Sequence, residues 1–253
     1  MTETVTSTGT QESVADFAAR ARAWLADNMP PIDPDDPPFS VRAEQQSWDR
    51  ATELQKRLHD GGFAGICFPR EYGGLGMSVE HQRAFTAESA PYDMPFSLNV
   101  PTLGILAATL VDFGTHEQKL RHLPAILRGE ELWVQFLSEP SGGSDLAGCL
   151  TRADRDGDDF ILNGAKTWSS SAYLSDYAMC LARTDWDVPK HRGLTWFAVP
   201  VRSRGVTMER IKQINGNEEF CQEFFDDVEL TDADVIGTVN DGWTVTQTML
   251  LFE

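Results

Sequence analysis

The chain has 253 residues, 41% of them apolar, enough to bury one large core or two modest ones without a disulfide or metal staple. Its 21 lysines and arginines against 39 aspartates and glutamates give a net charge of -18, which repels polyanions at long range and excludes nucleic acid as an expected partner. The four cysteines, Cys67, Cys149, Cys180 and Cys221, contain no C-x-x-C pair and the five histidines no H-x-x-x-H spacing, so the sequence predicts reduced, buried thiols in a cytoplasmic protein and no metal site.

Residues 1 to 12 are polar and Thr-rich, without the basic start or apolar core of a signal peptide, and are expected to be disordered. No apolar run stands out at membrane-spanning length, so a soluble, intracellular protein is expected. The first helix follows, with Val14, Phe17, Ala18, Ala21 and Leu25 at helical spacing, and ends at the proline-rich linker 29–38. A second helix is predicted from Glu44 to His59 with Trp48, Ala51, Leu54 and Leu58 on one side and Gly61-Gly62 as its stop. After the turn-rich residues 69–76, a third covers Val79 to Ser89 and a fourth Pro101 to Phe113. A fifth opens on a Thr115/Gln118 capping box and carries Leu120, Leu123, Ile126 and Leu127.

Past Gly129 the pattern changes to short β-rich runs between Gly, Asp, Asn and Ser clusters. The predicted fold is α+β and multidomain: a disordered segment 1–12, a helical bundle over 13–130, an antiparallel β-barrel or sandwich over 131–238, and the first turns of a C-terminal helix over 239–253. The clearest hairpin joins Thr151–Arg155 to Phe160–Lys166 through Asp156-Gly157, and further strands are predicted at Tyr177–Arg183, Leu194–Val201, Val206–Ile211 and Glu223–Leu230. If the last of these is a strand, Asp226 and Asp227 point to opposite faces and at least one is solvated. The final segment, with Trp243, Val245, Thr246, Met249 and Leu250 in helical spacing, reaches Glu253 in mid-helix, which reads as a chain cut before its last domain.

The common nucleotide signatures, G-x-G-x-x-G after a strand and G-x-x-x-x-G-K-[ST], are missing. Residues 136–148, Phe-Leu-Ser-Glu-Pro-Ser-Gly-Gly-Ser-Asp-Leu-Ala-Gly, taken alone read equally as a polar turn between strands. Together with Asn163-Gly-Ala-Lys-Thr-Trp-Ser-Ser170, the strand 223–230, the Asp241-Gly242-Trp243 step and the loop 68–76, they resemble the acyl-CoA dehydrogenase family in content and order. The departure is Phe136, where that family usually has a small residue.

The resemblance implies FAD as cofactor, an acyl-CoA thioester as substrate and α,β-dehydrogenation to the 2,3-enoyl-CoA. It also implies an electron-transfer flavoprotein as acceptor and a homo- or hetero-oligomer. By the same carry-over, Gln135, Phe136, Leu137 and Ser138 line the flavin ring edge, Trp168 packs its indole on the ring with Ser169 beside it, and Ser170 reaches N5. Ser144 lies near both cofactor and acyl chain. Read without the motif, Trp168 is a core tryptophan of the barrel. Glu253 falls where some family members carry the catalytic base that contacts substrate; it reads as well as a helix-surface glutamate. Arg202, Arg204, Arg210 and Lys212 fit either a basic strand edge or a contact to CoA phosphates. Two further readings keep the fold: a non-catalytic subunit paired with a catalytic homologue, and an oxygen-using oxidase or monooxygenase relative.

Overall fold

The computed structural model describes residues 12–35 and 44–253; residues 1–11, and the linker residues 36–38, lie outside them. Helix α1 (Val14–Asn28) starts on Ser13, whose hydroxyl accepts from the Asp16 N–H at 3.1 Å. Its buried face, Phe17, Ala21 and Leu25, packs with Leu54 and Leu58 of α2 (Glu44–Asp60) and Phe85 of α3 (Val79–Ser89). Phe63, on the loop after α2, sits between Phe17 and Phe85 with ring centres 5.7 and 5.4 Å away. The start of the proline linker is tied down: Asp93 and Ile32 donate their N–H groups to Pro30 and Pro91 at 2.9 and 3.0 Å.

The fourth predicted helix begins earlier than expected. A continuous helical rod runs Phe96–Phe113, made of α4 (Phe96–Leu98), a π-helical stretch Asn99–Ala107 and α5 (Ala108–Phe113). Proline normally marks a helix start because its ring blocks the i−4 bond, but here the wider π turn accommodates Pro101 inside the rod. The rod is also long and apolar enough, by length and composition, to cross a membrane, contrary to the expectation from the apolar runs. Its Ile105, Leu106, Ala107 and Leu110 are buried in a core shared with the sheet. Helix α6 (His116–Leu127) has the anticipated capping box, with Thr115 and Gln118 exchanging bonds at 2.9 and 3.2 Å, although Leu120 is exposed rather than packed.

The β part comprises β1 (Trp133–Phe136), β2 (Arg152–Asp156), β3 (Asp159–Ser170), β4 (Tyr177–Arg183), β5 (Leu194–Pro200), β6 (Val206–Ile211), β7 (Phe220–Thr231) and β8 (Val235–Ile236). The order is β6-β7-β3-β2-β4-β5-β8, antiparallel apart from a single parallel pairing of β2 with β4, and β1 lies parallel to β4 along the register Trp133↔Tyr177 to Phe136↔Cys180. Strand β1 was not anticipated: four residues running into the turn motif give no alternation to read. The β2–β3 hairpin turns through Gly157 at φ 63°.

Alternation on β4 and β5 divides two cores. Ala178, Cys180 and Ala182 with Phe197 and Val199 fill the sheet interior, whereas Met179 and Leu181 with Trp196 and Ala198 face the helices. Burial on both faces explains why both strands are largely apolar. Cys67 is exposed, so the expectation of four buried thiols holds for Cys149, Cys180 and Cys221. Asp226 and Asp227 are both exposed, because Asp227 takes φ 48° at an irregularity in the β3–β7 pairing and exchanges two 3.0 Å bonds with Asn163. Helix α7 (Gly242–Phe252) closes the described chain, held by the Trp196 indole N–H donating to Gly242 O and Thr246 Oγ1, both at 3.0 Å.

Candidate functional site

The site grows from an irregularity in β3. Thr167 pairs with Gln222 and Ser169 with Cys221, which leaves Trp168 as an extra residue bulged from the ladder at φ 68°. A large side chain at positive φ costs about 1–3 kcal/mol and persists only where its surroundings fix it. The fixing contacts are at hand: the Thr167 N–H donates to Ser138 O at 2.9 Å, and the Ser169 hydroxyl donates to Glu223 Oε2 at 3.1 Å. The bulge turns the indole out of the core, 57% exposed and edge-on to Phe220 at 5.8 Å. Trp168 is therefore not the barrel-core tryptophan that the chain without its motif suggests.

In front of the bulge lies a cavity of about 330 Å³. The π-helical stretch supplies Val100, Pro101 and Ile105 to one wall, and the segment leaving β1 supplies another. The rod and β1 are pinned together by Thr102, whose hydroxyl donates to Trp133 O at 3.0 Å and accepts from the Trp133 N–H at 3.1 Å. Of the residues singled out from the sequence, Gln135, Leu137, Ser138, Trp168, Ser169, Ser170 and Glu253 line this one cavity. They come from three separate stretches of chain. The Gln135 amide nitrogen is buried with no hydrogen-bond partner, an open donor of the kind a polar ligand satisfies.

Phe136 and Ser144 are not among the lining residues. Strand alternation turns Phe136 into the sheet interior, with its ring 5.8 Å from that of Phe225. Its departure from a small residue is thus a matter of core packing. Ser144 is exposed on the turn after Glu139, whose Ser141, Gly142 and Asp145 line a second hollow of about 180 Å³ that shares Leu137 with the first. Glu253 is exposed at the end of α7, about one turn beyond the buried Met249 and so on the same side of the helix.

Behind the wall lies a buried polar layer that motif reading did not resolve. The Lys166 ammonium, with no solvent exposure, donates to Glu139 Oε1 at 2.9 Å, to Leu137 O at 3.0 Å and to Cys149 Sγ at 3.4 Å. Glu139 also accepts from the N–H groups of Leu150 and Thr151 at 2.7 and 2.8 Å. Burial pushes the Glu139 carboxyl up, but the Lys166 charge and those amides outweigh it and hold it at about 2. Burial raises the Cys149 thiol to about 11. The pair ties the turn motif to β3 and fixes Leu137 at the junction of both hollows. The signal was present in the sequence, since Glu139 and Lys166 stand inside the two quoted motifs; which of their neighbours they met was not.

Comparison with known proteins identifies the family. Residues 11–130 match the model of the acyl-CoA dehydrogenase N-terminal domain, and residues 135–228 that of the middle domain. The chain is 39% identical over 250 residues to acyl-CoA dehydrogenase IpdE1 of Mycobacterium tuberculosis, covering 96% of this chain and 63% of that protein. Among solved structures, the ChsE4–ChsE5 complex from Mycobacterium tuberculosis superposes with a TM-score of 0.73 at 30% identity, over 99% of this chain and 62% of that one. A glutaryl-CoA dehydrogenase from Mycobacterium smegmatis in complex with FADH2 gives 0.67 at 25% identity, over 96% and 59%. The chain spans less than two thirds of the length of these relatives, and over that span it belongs to the acyl-CoA dehydrogenase family.

Proposed function

We propose that the chain is the FAD-holding part of an acyl-CoA dehydrogenase that converts an acyl-CoA to its 2,3-enoyl-CoA. The observation that carries this reading is the convergence of the Trp168 bulge, Ser138, Ser170 and the unpartnered Gln135 amide on one cavity. The residues present fit a flat, polar-edged ring. Trp168 offers an exposed aromatic face, the Gln135 amide a donor without a partner, and Ser138 and Ser170 hydroxyls beside it. Bound FAD would supply the acceptor for the β-hydride.

The work of the chain is to bind, orient and dry that reaction. The apolar wall of Val100, Pro101 and Ile105 excludes water from one side, which strengthens each polar contact within. Glu253, at the cavity margin, is the candidate base for the α-proton. In the full-length protein, Glu253→Gln is expected to slow bleaching of the flavin by acyl-CoA by about 10²–10⁴-fold. Unchanged bleaching removes Glu253 from the reaction and places the base elsewhere. Ser144 is assigned to the acyl-CoA side, and an electron-transferring flavoprotein to the role of acceptor.

A paired assembly is part of the proposal, supported by the likeness to the ChsE4–ChsE5 complex. The cytoplasm is the compartment that the cysteine pattern favours. One experiment addresses cofactor, activity and substrate together: the visible spectrum of the purified full-length protein, alone and with candidate partners, before and after anaerobic addition of a panel of acyl-CoAs. Protein that is colourless and refuses added FAD overturns the proposal.

A further inference from the structure

The sheet interior behind the cavity holds a carboxyl for which the proposed reaction has no use. Glu223 on β7 has no solvent exposure; its Oε2 accepts from Ser169, and its Oε1 is buried without a partner. Few groups face it. Strand β3 presents Lys166, its register partner, together with Ser169, and β6 presents Met208. The Cys180 thiol looks in from β4, and Glu139 and Cys149 complete the layer from the turn motif. Lys166 directs its donors to Leu137, Glu139 and Cys149, and among the described residues no cation pairs with Glu223. A carboxylate with one bare oxygen is strongly disfavoured there. Burial accordingly pushes the Glu223 carboxyl up to about 7, against the downward pull of Ser169, its own backbone N–H and the Lys166 charge.

The single side chain that Glu223 grips is next to the bulge, between Trp168 and Ser170. We infer that Glu223 is a positioning residue for the β3 wall: its bond holds Ser169, and through Ser169 the backbone that carries Trp168 and Ser170 to the cofactor. Loss of its proton tightens the Ser169 bond itself but leaves the bare Oε1 charged, and that oxygen gains water only if the wall opens. The inference rests on the flavin reading of the cavity and adds to it a proton-dependent support that lies outside the reaction itself.

The test uses full-length protein, stripped of flavin and titrated with FAD across about pH 6 to about pH 9. Wild-type affinity is expected to weaken above neutrality by up to about tenfold per pH unit, the most a single proton can couple. The spectrum of bound flavin should change with the same midpoint. Glu223→Gln, which cannot ionise, should bind FAD with a flat pH profile and an unchanging spectrum. Ser169→Ala should keep the proton on Glu223 but lose the spectral response.

In flavin-free protein, the infrared carbonyl stretch of a protonated carboxyl should be visible at about pH 6 in wild type and Ser169→Ala and missing in Glu223→Gln. An E223Q profile that follows wild type overturns the inference, as does a wild type without that carbonyl stretch. Should E223Q fail to fold, S169A with the infrared comparison carries the test. Protein that takes up no FAD at any pH sinks the flavin reading and with it the coupling, while the infrared comparison still decides whether Glu223 holds its proton.

Discussion

Lys166 and Glu139 form an ion pair with almost no water contact, 0% and 5% exposed at their side chains. Such a pair adds little over an apolar replacement, but removing one partner strands the other charge. Lys166→Met is therefore expected to cost about 3–5 kcal/mol in urea unfolding. Adding Glu139→Gln should recover part of that loss, and simple additivity of the two changes would show that the pair is not coupled. The two buried carboxyls also give opposite pH dependences. Glu139, held at about 2 against a usual 4.5, stabilises the fold above pH 4.5 and loses that contribution as pH falls toward 2. Glu223, raised from 4.5 to about 7, binds its proton more tightly in the fold than in the open chain, so stability falls as pH rises from 4.5 to 7 and then levels. Thermal melts across that window should show a slope worth ~3 kcal/mol in all, which Glu223→Gln flattens.

Strand β3 shows which elements could be read from the sequence. Its hairpin with β2, the presence of strand β7 and the limits of β4 and β6 follow from alternation and turn residues, and so do α1, α3 and the capping box of α6. The bulge at Trp168 does not follow, because an inserted residue is defined by the partner strand, and a partner is not visible in a local window. The same reason hides the π turn around Pro101 and the inward direction of Phe136. The motif residues named the cavity's lining without naming its walls: Val100, Pro101 and Ile105 arrive from a helix about 30 residues upstream of β1. One glycine in β3 has a conformational role of its own. Gly164 takes φ 146°, and a Cβ there would meet Thr151 Cα at 2.7 Å. Gly164→Ala is expected to lower stability by about 2 kcal/mol, seen as a reduced midpoint in denaturant titration with the slope unchanged.

At the scale of the whole molecule, a net charge of -18 is a self-repulsion that salt screens. The melting temperature is expected to rise between low ionic strength and about 0.15 M NaCl, and a fall would mean that local ion pairs outweigh the overall charge. The helical and β portions were legible as separate stretches of pattern, but their junction was not, since it depends on two strands that are apolar on both sides. Strands β4 and β5 belong to both cores at once, with Met179 and Leu181 looking toward the helices and Ala178 and Cys180 toward the sheet interior. A ladder held in that way has no local route to opening. Its amides should be the slowest in the chain to exchange with deuterated solvent, and their exchange should report the collapse of both halves in one cooperative event.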